Sequence, residues 1–277
     1  MENLKDILSR NDFNFKKQFG QNFLTDENLL SSIVSDAGVT ENDTVLEIGA
    51  GAGALTCHLA KKAKRVISYE IDKKLMPILD ETLAPYKNVD VVFKDFMSLP
   101  LSEIEKSIGE PYKVVANLPY YITTPLIMRL LEEGKMLESI TCMVQEEVAD
   151  RFCAKENTAE YGSITASINF IGSARKTRFV PRTLFTPRPN VDSAIVRIDV
   201  QRGKYDLNYK AFDKVKRSAF LNRRKMLVGN IMKDYSLSRE VVEKVFDSVG
   251  IDKKVRGEVL TAEQFVMLAK ELEKVIN

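Results

Sequence analysis

The sequence predicts an α/β protein, a doubly wound parallel sheet followed by a small all-α C-terminal domain. Three observations carry this. From residue 44 onward, short apolar runs alternate with helix-length segments, the pattern of parallel strands joined by crossover helices. The first apolar run ends in a glycine cluster that opens a helix. The alternation then stops, and residues 208–277 read as helices only.

Each element follows from its residues. Residues 44–48 (TVLEI) are a continuous apolar run, as a strand buried on both faces requires. Residues 54–63 (ALTCHLAKKA) read as a helix and 65–71 (RVISYEI) as the second strand. A second helix spans 72–84, with Asp72 as its N-cap. Pro77 weakens its middle, because proline lacks the N–H that a helix interior uses. The third strand is 89–94, followed by a loop and short helix to about 108. Residues 112–116 and 139–144 are the fourth and fifth strands, with helices near 125–133 and through 145–154. Residues 164–172 and 193–200 (SAIVRIDV) read as late strands. The closing helices lie near 208–221, 224–234, 238–249 and 261–275. A boundary at 203–206, around Gly203, separates a first domain of 1–204 from a second of 205–277.

Composition excludes several classes. The 277 residues are 44% hydrophobic and 29% charged, which excludes wholesale disorder and a fibrous repeat. No apolar run approaches the roughly 18 residues of a membrane span. Charges at Glu2, Lys5, Asp6, Arg10 and Asp12 leave no apolar stretch for a secretory signal. Cys57, Cys142 and Cys153 have no paired spacing, which fits free thiols in a reducing cytoplasm. His58 is the one histidine, so a histidine-rich metal site is excluded and no metal is expected. Cys57 and His58 are adjacent, so on a helix they face different ways and do not form a nucleophile–base pair.

Charge is unevenly placed. The formal net charge is +2. Residues 175–225 carry fifteen Lys or Arg against four Asp, a net +11, which leaves −9 elsewhere. A charge run is most simply a solvated face. The scarcity of acids here, which mere solubility does not require, points instead to a polyanionic partner.

The segment Glu47-Ile48-Gly49-Ala50-Gly51-Ala52-Gly53 leaves the first strand and opens a helix. Glycines there let the backbone turn tightly and approach a ligand. Glu70 ends the second strand, 21 residues after Gly49, where an acid can accept from ribose hydroxyls. The spacing is GxGxG, one residue short of the dinucleotide fingerprint. A structural turn would produce the same letters. Asp95 ends the third strand, where open sheets bind ligands, and could accept from an adenine amine. Taken alone, it is equally a loop acid or an N-cap.

Asn117-Leu118-Pro119-Tyr120 ends the fourth strand. An ordinary strand exit could use the same residues, since they are turn-compatible. Their types also suit methyl transfer to adenine N6, whose lone pair is delocalised into the ring. The Asn117 side-chain oxygen and the Leu118 carbonyl can each accept one amine N–H and aim that lone pair. Pro119 stiffens the loop. Tyr120 offers a stacking face, worth about 1–3 kcal/mol per base in nucleic-acid sites. No strong base is needed, because the alkylated nitrogen loses its proton to water.

At this point the chain resembles the small-subunit (16S) rRNA adenine N6,N6-dimethyltransferase family of Rossmann-like S-adenosyl-L-methionine-dependent methyltransferases. The resemblance runs through KKQFGQNFL (16–24), VLEIGAGAGALT (45–56), FKDF around Asp95, ANLPYYI (116–122) and LFTPRPNVDSAIVRI (184–198). It continues through AFLNRRKML (219–227) and VGIDKKVRGEVLTAEQF (249–265). Ala50 stands where the family often has proline. The resemblance implies a methyltransferase catalytic domain over 1–204 and a helical rRNA-binding domain over 205–277. It implies a cofactor site of Gln21, Asn22, Leu24, Gly49, Gly51 and Glu70, completed by Ile71, Asp95, Phe96 and Asn117. It makes Asn117, Leu118, Pro119, Tyr120 and Phe185 the catalytic set, Phe185 closing the base from the side opposite Tyr120. The lesser alternative for Phe185, in its proline-rich loop, is a core residue, and for Gln21-Asn22 an ordinary N-terminal cap. The implied reaction dimethylates two adjacent adenosines near the 3′ end of 16S rRNA in an immature small ribosomal subunit. The expected state is a cytoplasmic monomer.

Three other functions compete. A 23S rRNA adenine N6-methyltransferase of the macrolide-resistance type would share the cofactor site and NLPY, but the VDSA, NRRKML and GIDKKVRGEVL blocks favour the small-subunit reading. A nicotinamide oxidoreductase conflicts with the loop spacing. A non-enzymatic assembly factor would not need the full set of acceptors.

Overall fold

The computed structural model describes Arg10, Phe23–Leu24 and Asp26–Ile276. The chain divides into two compact units, one of residues 1–149 with 175–200 and one of 150–174 with 201–277. The strands are β1 (Phe23–Leu24), β2 (Thr44–Ile48), β3 (Arg65–Glu70), β4 (Val89–Phe93), β5 (Tyr112–Asn117), β6 (Leu137–Gln145), β7 (Gly172–Val180), β8 (Phe185–Thr186) and β9 (Ser193–Val200). Among the described residues they form a seven-stranded sheet in the order β4-β3-β2-β5-β6-β9-β7 and a two-stranded ribbon, β1-β8.

β2 pairs in parallel with β3 and β5, and the parallel set extends to β4 and β6. All five residues of β2 are buried, which is why its sequence shows no alternation. The sheet is not wholly parallel, however: β9 runs antiparallel to β6. The chain enters β9 through 181–192, which includes Pro181, Pro187 and Pro189. That segment holds no helix able to carry the chain back for parallel entry.

The helices of the first unit are α1 (Glu27–Asp36), α2 (Ala54–Ala60), α3 (Met76–Leu83), α4 (Leu101–Ile108) and α5 (Thr123–Glu133). α6 (Glu146–Phe152) follows β6. Asp26 caps α1 by accepting from the Leu29 N–H at 2.7 Å, and Leu29, Leu30, Ile33 and Val34 bury its apolar face. The helix expected over 72–84 is two pieces. Asp72 caps a 3₁₀ turn at Lys73–Leu75, and Pro77 lies in the first turn of α3, where no intrahelical N–H is required. His58 is structural: Nδ1 lies 2.9 Å from the Ala54 carbonyl and Nε2 3.0 Å from Glu27.

The second unit contains α7 (Ser163–Ile171), α8 (Tyr209–Leu221), α9 (Leu227–Tyr235), α10 (Arg239–Ser248) and α11 (Ala262–Ile276). The strand expected at 164–172 is α7, and the next strand begins only at Gly172. Seven of its nine residues are buried, so no face is left polar and the helical period is invisible. The same burial explains why 150–174 joins the C-terminal unit, whereas the sequence places it in the first domain. Phe170 stacks on Phe212 at 4.1 Å between centroids and on Tyr205 at 5.5 Å. Buried Lys216 donates to Ser167 Oγ at 2.7 Å and pairs with Asp213 at 2.6 Å.

Several basic side chains of the 175–225 segment are engaged locally. Arg178 pairs with Asp36. Arg175 and Arg197 share Asp199. Arg182 donates to the Asn190 carbonyl at 2.7 Å. No helix among the described residues is long and apolar enough to cross a membrane.

Tyr161 is fully buried and its hydroxyl donates to the Leu260 carbonyl at 2.8 Å, tying the 150–174 segment to the C-terminal helices. Tyr161→Phe is expected to lower the unfolding free energy by about 1 kcal/mol, measured by urea titration. An unchanged midpoint would show the bond to be energetically neutral.

Candidate active site

The strand order reverses between β2 and β5, with β3 and β4 on one side and β6 on the other. Loops leaving the carboxyl ends of these two strands turn in opposite directions and open a crevice. A cavity of about 270 Å³ lies there. One wall is the glycine loop after β2, and the facing wall is the end of β5.

Gly49 and Gly51 hold φ of +86° and +55°, conformations costly for any residue with a Cβ. A Cβ at Gly49 would stand 4.0 Å from the Asn117 carbonyl oxygen, in the gap between the two walls. A Cβ at Gly51 would meet the Phe23 ring at 2.9 Å. The loop is therefore shaped as a cradle that side chains would fill.

The loop is held by the acid that ends β3. Glu70 is buried. Its Oε2 accepts from the Gly51 N–H at 2.9 Å, and its Oε1 accepts from Ile71 and Asp72 at 2.8 Å each. Burial raises its pKa even against these three donors. Carboxylate oxygens with further lone pairs can still accept from ribose hydroxyls.

Asp95 serves as a cap. Its Oδ1 accepts from the Met97 N–H at 2.9 Å and starts a 3₁₀ turn over Phe96–Ser98. The two sequence readings of this residue are compatible, since the carboxylate is exposed and lines the cavity. Phe96 is buried edge-on against Tyr69, with centroids 5.4 Å apart. Ile71 is 47% exposed on the same wall.

The opposite wall is the NLPY motif. Asn117 is the last residue of β5 and Leu118 is buried behind it. Tyr120 begins a 3₁₀ turn, and its hydroxyl shares a 2.7 Å hydrogen bond with Ser193 Oγ. Burial raises the Tyr120 phenol above its ordinary value, so the ring stays neutral. Phe185 reaches the same cavity because β8 pairs antiparallel with β1, Leu24 opposite Phe185.

Thus Leu24, Gly49, Gly51, Glu70, Ile71, Asp95, Phe96, Asn117, Leu118, Pro119, Tyr120 and Phe185 all line one cavity. Gln21 and Asn22 lie outside the described residues. Sequence reasoning missed Tyr69, Tyr121, which is 61% exposed at the cavity, and Ser193. Tyr121 was readable as the second aromatic of the motif. Ser193 carries no signal by itself, because its role comes from where β9 begins.

Beneath the loop, Glu47 is fully buried. Thr56 and Ser68 hydroxyls donate to its Oε2 at 2.6 Å each, and its Oε1 has no hydrogen-bond partner among the described residues. Burial pushes its pKa up to about 7, with the nearby Glu70 charge adding to the rise.

Known proteins resemble this chain closely. The sequence profile described as ribosomal RNA adenine dimethylase matches residues 12–274. "Ribosomal RNA small subunit methyltransferase A" of Bacillus cytotoxicus is 43% identical over 277 residues, covering 97% of this chain and 94% of the relative. The protein of the same name from Bacillus licheniformis is 43% identical over 283 residues, covering 98% and 96%. A dimethyladenosine transferase from Plasmodium falciparum shares the fold, with a TM-score of 0.79 at 24% identity over 91% of this chain and 98% of that one. The 23S rRNA methyltransferase ErmE superposes with a TM-score of 0.69 at 29% identity, covering 91% and 100%.

Glu47 gives a pH signature. Its native pKa of about 7 lies above the ordinary 4.5, so the native state binds this proton more tightly than the unfolded chain does. Its contribution is full below the ordinary value and is lost as pH rises through the native one. Across that range the native chain is expected to lose up to about 3 kcal/mol from this group. Glu47→Gln should flatten the profile by that amount in urea titrations from pH 4 to 8. Parallel profiles for the two proteins would place the proton elsewhere.

Proposed function

This chain belongs to the ribosomal RNA adenine dimethylase family, and on that premise we propose that it transfers methyl groups from S-adenosyl-L-methionine to N6 of two adjacent adenosines near the 3′ end of 16S rRNA. An immature small ribosomal subunit as substrate, a monomeric enzyme and a cytoplasmic location belong to this reading. The observation that carries it is the convergence on one cavity of the Glu70-braced glycine loop with Asn117, Tyr120 and Phe185.

The cavity fits the cofactor by its donors, acceptors and shape. Glu70 would accept from the ribose hydroxyls, Asp95 from the adenine amine, and Ile71 and Phe96 would supply apolar contact at the adenine end. The Gly49 cradle admits the ligand between the two walls. When bound, S-adenosyl-L-methionine supplies an electrophilic methyl group on a sulfonium.

The chain's own residues then act on the base. Extruding an adenosine costs a few kcal/mol, less from single-stranded RNA. Tyr120 and Phe185 offset part of that cost by stacking on the two faces. The Ser193 bond restrains the Tyr120 ring, so the platform loses little freedom on binding. Asn117 and the Leu118 carbonyl accept the two amine N–H groups, which draws the N6 lone pair out of conjugation and aims it at the methyl. Holding reactants in this way is worth several kcal/mol of barrier. As the N–C bond forms, the methyl–sulfur bond would break with its electron pair kept on sulfur as a neutral thioether; the positive charge that passes to N6 makes its proton acidic, and water takes it.

The 23S-directed reading shares this chemistry. The 43% identity to relatives named for the small subunit against 29% to ErmE favours the small-subunit substrate. The deciding experiment incubates the purified protein and labelled S-adenosyl-L-methionine with small and large subunits that lack the modification. N6,N6-dimethyladenosine in 16S rRNA is expected, and label confined to 23S rRNA would reject the proposal. Asn117→Ala should cut transfer by at least about 100-fold while the cofactor dissociation constant changes by less than about threefold. Normal turnover by that variant would remove Asn117 from the mechanism.

A further inference from the structure

Three backbone carbonyls of one short turn converge on a single side chain that no motif marks. Arg129, on the second turn of α5, is half-buried, with its side chain 13% exposed. Its Nη1 donates to the Phe96 carbonyl at 3.0 Å and the Met97 carbonyl at 3.1 Å, and its Nη2 donates to the Leu99 carbonyl. Its Cζ lies 5.6 Å from the Phe96 ring centroid. Glu133, one turn along the same helix, pairs with Nε at 3.4 Å.

A 3₁₀ turn of three residues leaves most of its carbonyls without an internal partner. Here the planar fork of one guanidinium reaches the Met97 carbonyl, the Leu99 carbonyl just after the turn, and the Phe96 carbonyl, which already accepts from the Leu99 N–H at 3.4 Å, a geometry that an ammonium does not reproduce. The turn so held is the one that Asp95 caps and Phe96 begins. Phe96 in turn presses edge-on against Tyr69 at the end of β3. α5 itself starts directly after the Tyr120–Ile122 turn of the NLPY segment. Arg129 therefore ties the adenine-end wall of the cavity to the helix that grows from the other wall.

We propose that Arg129 is a positioning residue for adenine recognition. By gripping the 96–99 carbonyls it sets the turn so that the Asp95 carboxylate meets the 6-amino group of the bound cofactor's purine. This rests on the assignment of Asp95 to that amine made under Proposed function. The ligand chemistry selected is a 6-aminopurine over a 6-oxopurine, whose O6 would face the carboxylate as acceptor against acceptor.

The test compares S-adenosyl-L-homocysteine with S-inosyl-L-homocysteine by calorimetric titration of the full chain, its Arg129→Met variant and its Arg129→Lys variant, each with a thermal melt. The native chain is expected to prefer the 6-amino compound by at least about tenfold, as sites built to hydrogen-bond a group do. Arg129→Met should narrow that preference to about threefold or less, chiefly by weakening the 6-amino compound, with Arg129→Lys between the two. If the methionine variant does not fold, the lysine variant carries the same comparison. A variant that weakens both compounds by one factor, or keeps the full preference, overturns the positioning role and leaves Arg129 a structural clamp. No preference in the native chain would instead overturn the Asp95 assignment, and the proposal with it.

Discussion

A carboxylate buried at the tip of β3 constrains everything around it. Removing the Glu70 side chain from water is costly unless donors replace the lost hydration. Three backbone N–H groups do so, two from the residues that follow it and one from Gly51 across the loop. The bond to Gly51 fixes the glycine loop, and the loop's positive-φ backbone is what leaves space between β2 and β5. One interaction thus shapes the cavity and places an acceptor in it.

The opposite wall depends on longer connections. Tyr120 is held by Ser193, and Phe185 is delivered by the β1–β8 ribbon. Neither restraint is local. Both arise because the chain, after β7, returns through a proline-containing segment and runs antiparallel beside β6. The departure from a wholly parallel sheet therefore belongs to the site. It brings Phe185, buried at the cavity, and the tyrosine's hydrogen-bond partner to the end of β5.

The charge distribution also changes meaning once contacts are known. Within residues 175–225, Arg178 is paired with Asp36 from outside the segment, Arg197 with Asp199, which the net +11 already counts, and Arg182 is held by the neutral Asn190 carbonyl. These arginines brace the β7–β9 region. Lys216 sits in the interior of the second unit. A count of Lys and Arg along a segment measures potential, whereas the field at the surface depends on which of them are already paired.

Local order determined most of the architecture. The parallel strands, the glycine loop, Glu70 and Asp95 at strand ends and the NLPY exit were legible because strand length, turn chemistry and apolar period are near-neighbour properties. So was the cap at Asp72, which obeys the same short-range rule. What stayed hidden depends on partners far along the chain. α7 read as a strand because burial on every side erased its period. The orphan oxygen of Glu47, the bond between Tyr120 and Ser193 and the grip of Arg129 on the 96–99 turn each join residues whose adjacency only the folded sheet creates. Letters in sequence specify which groups are present. Long-range packing decides which of those groups lose water, and so which must find each other.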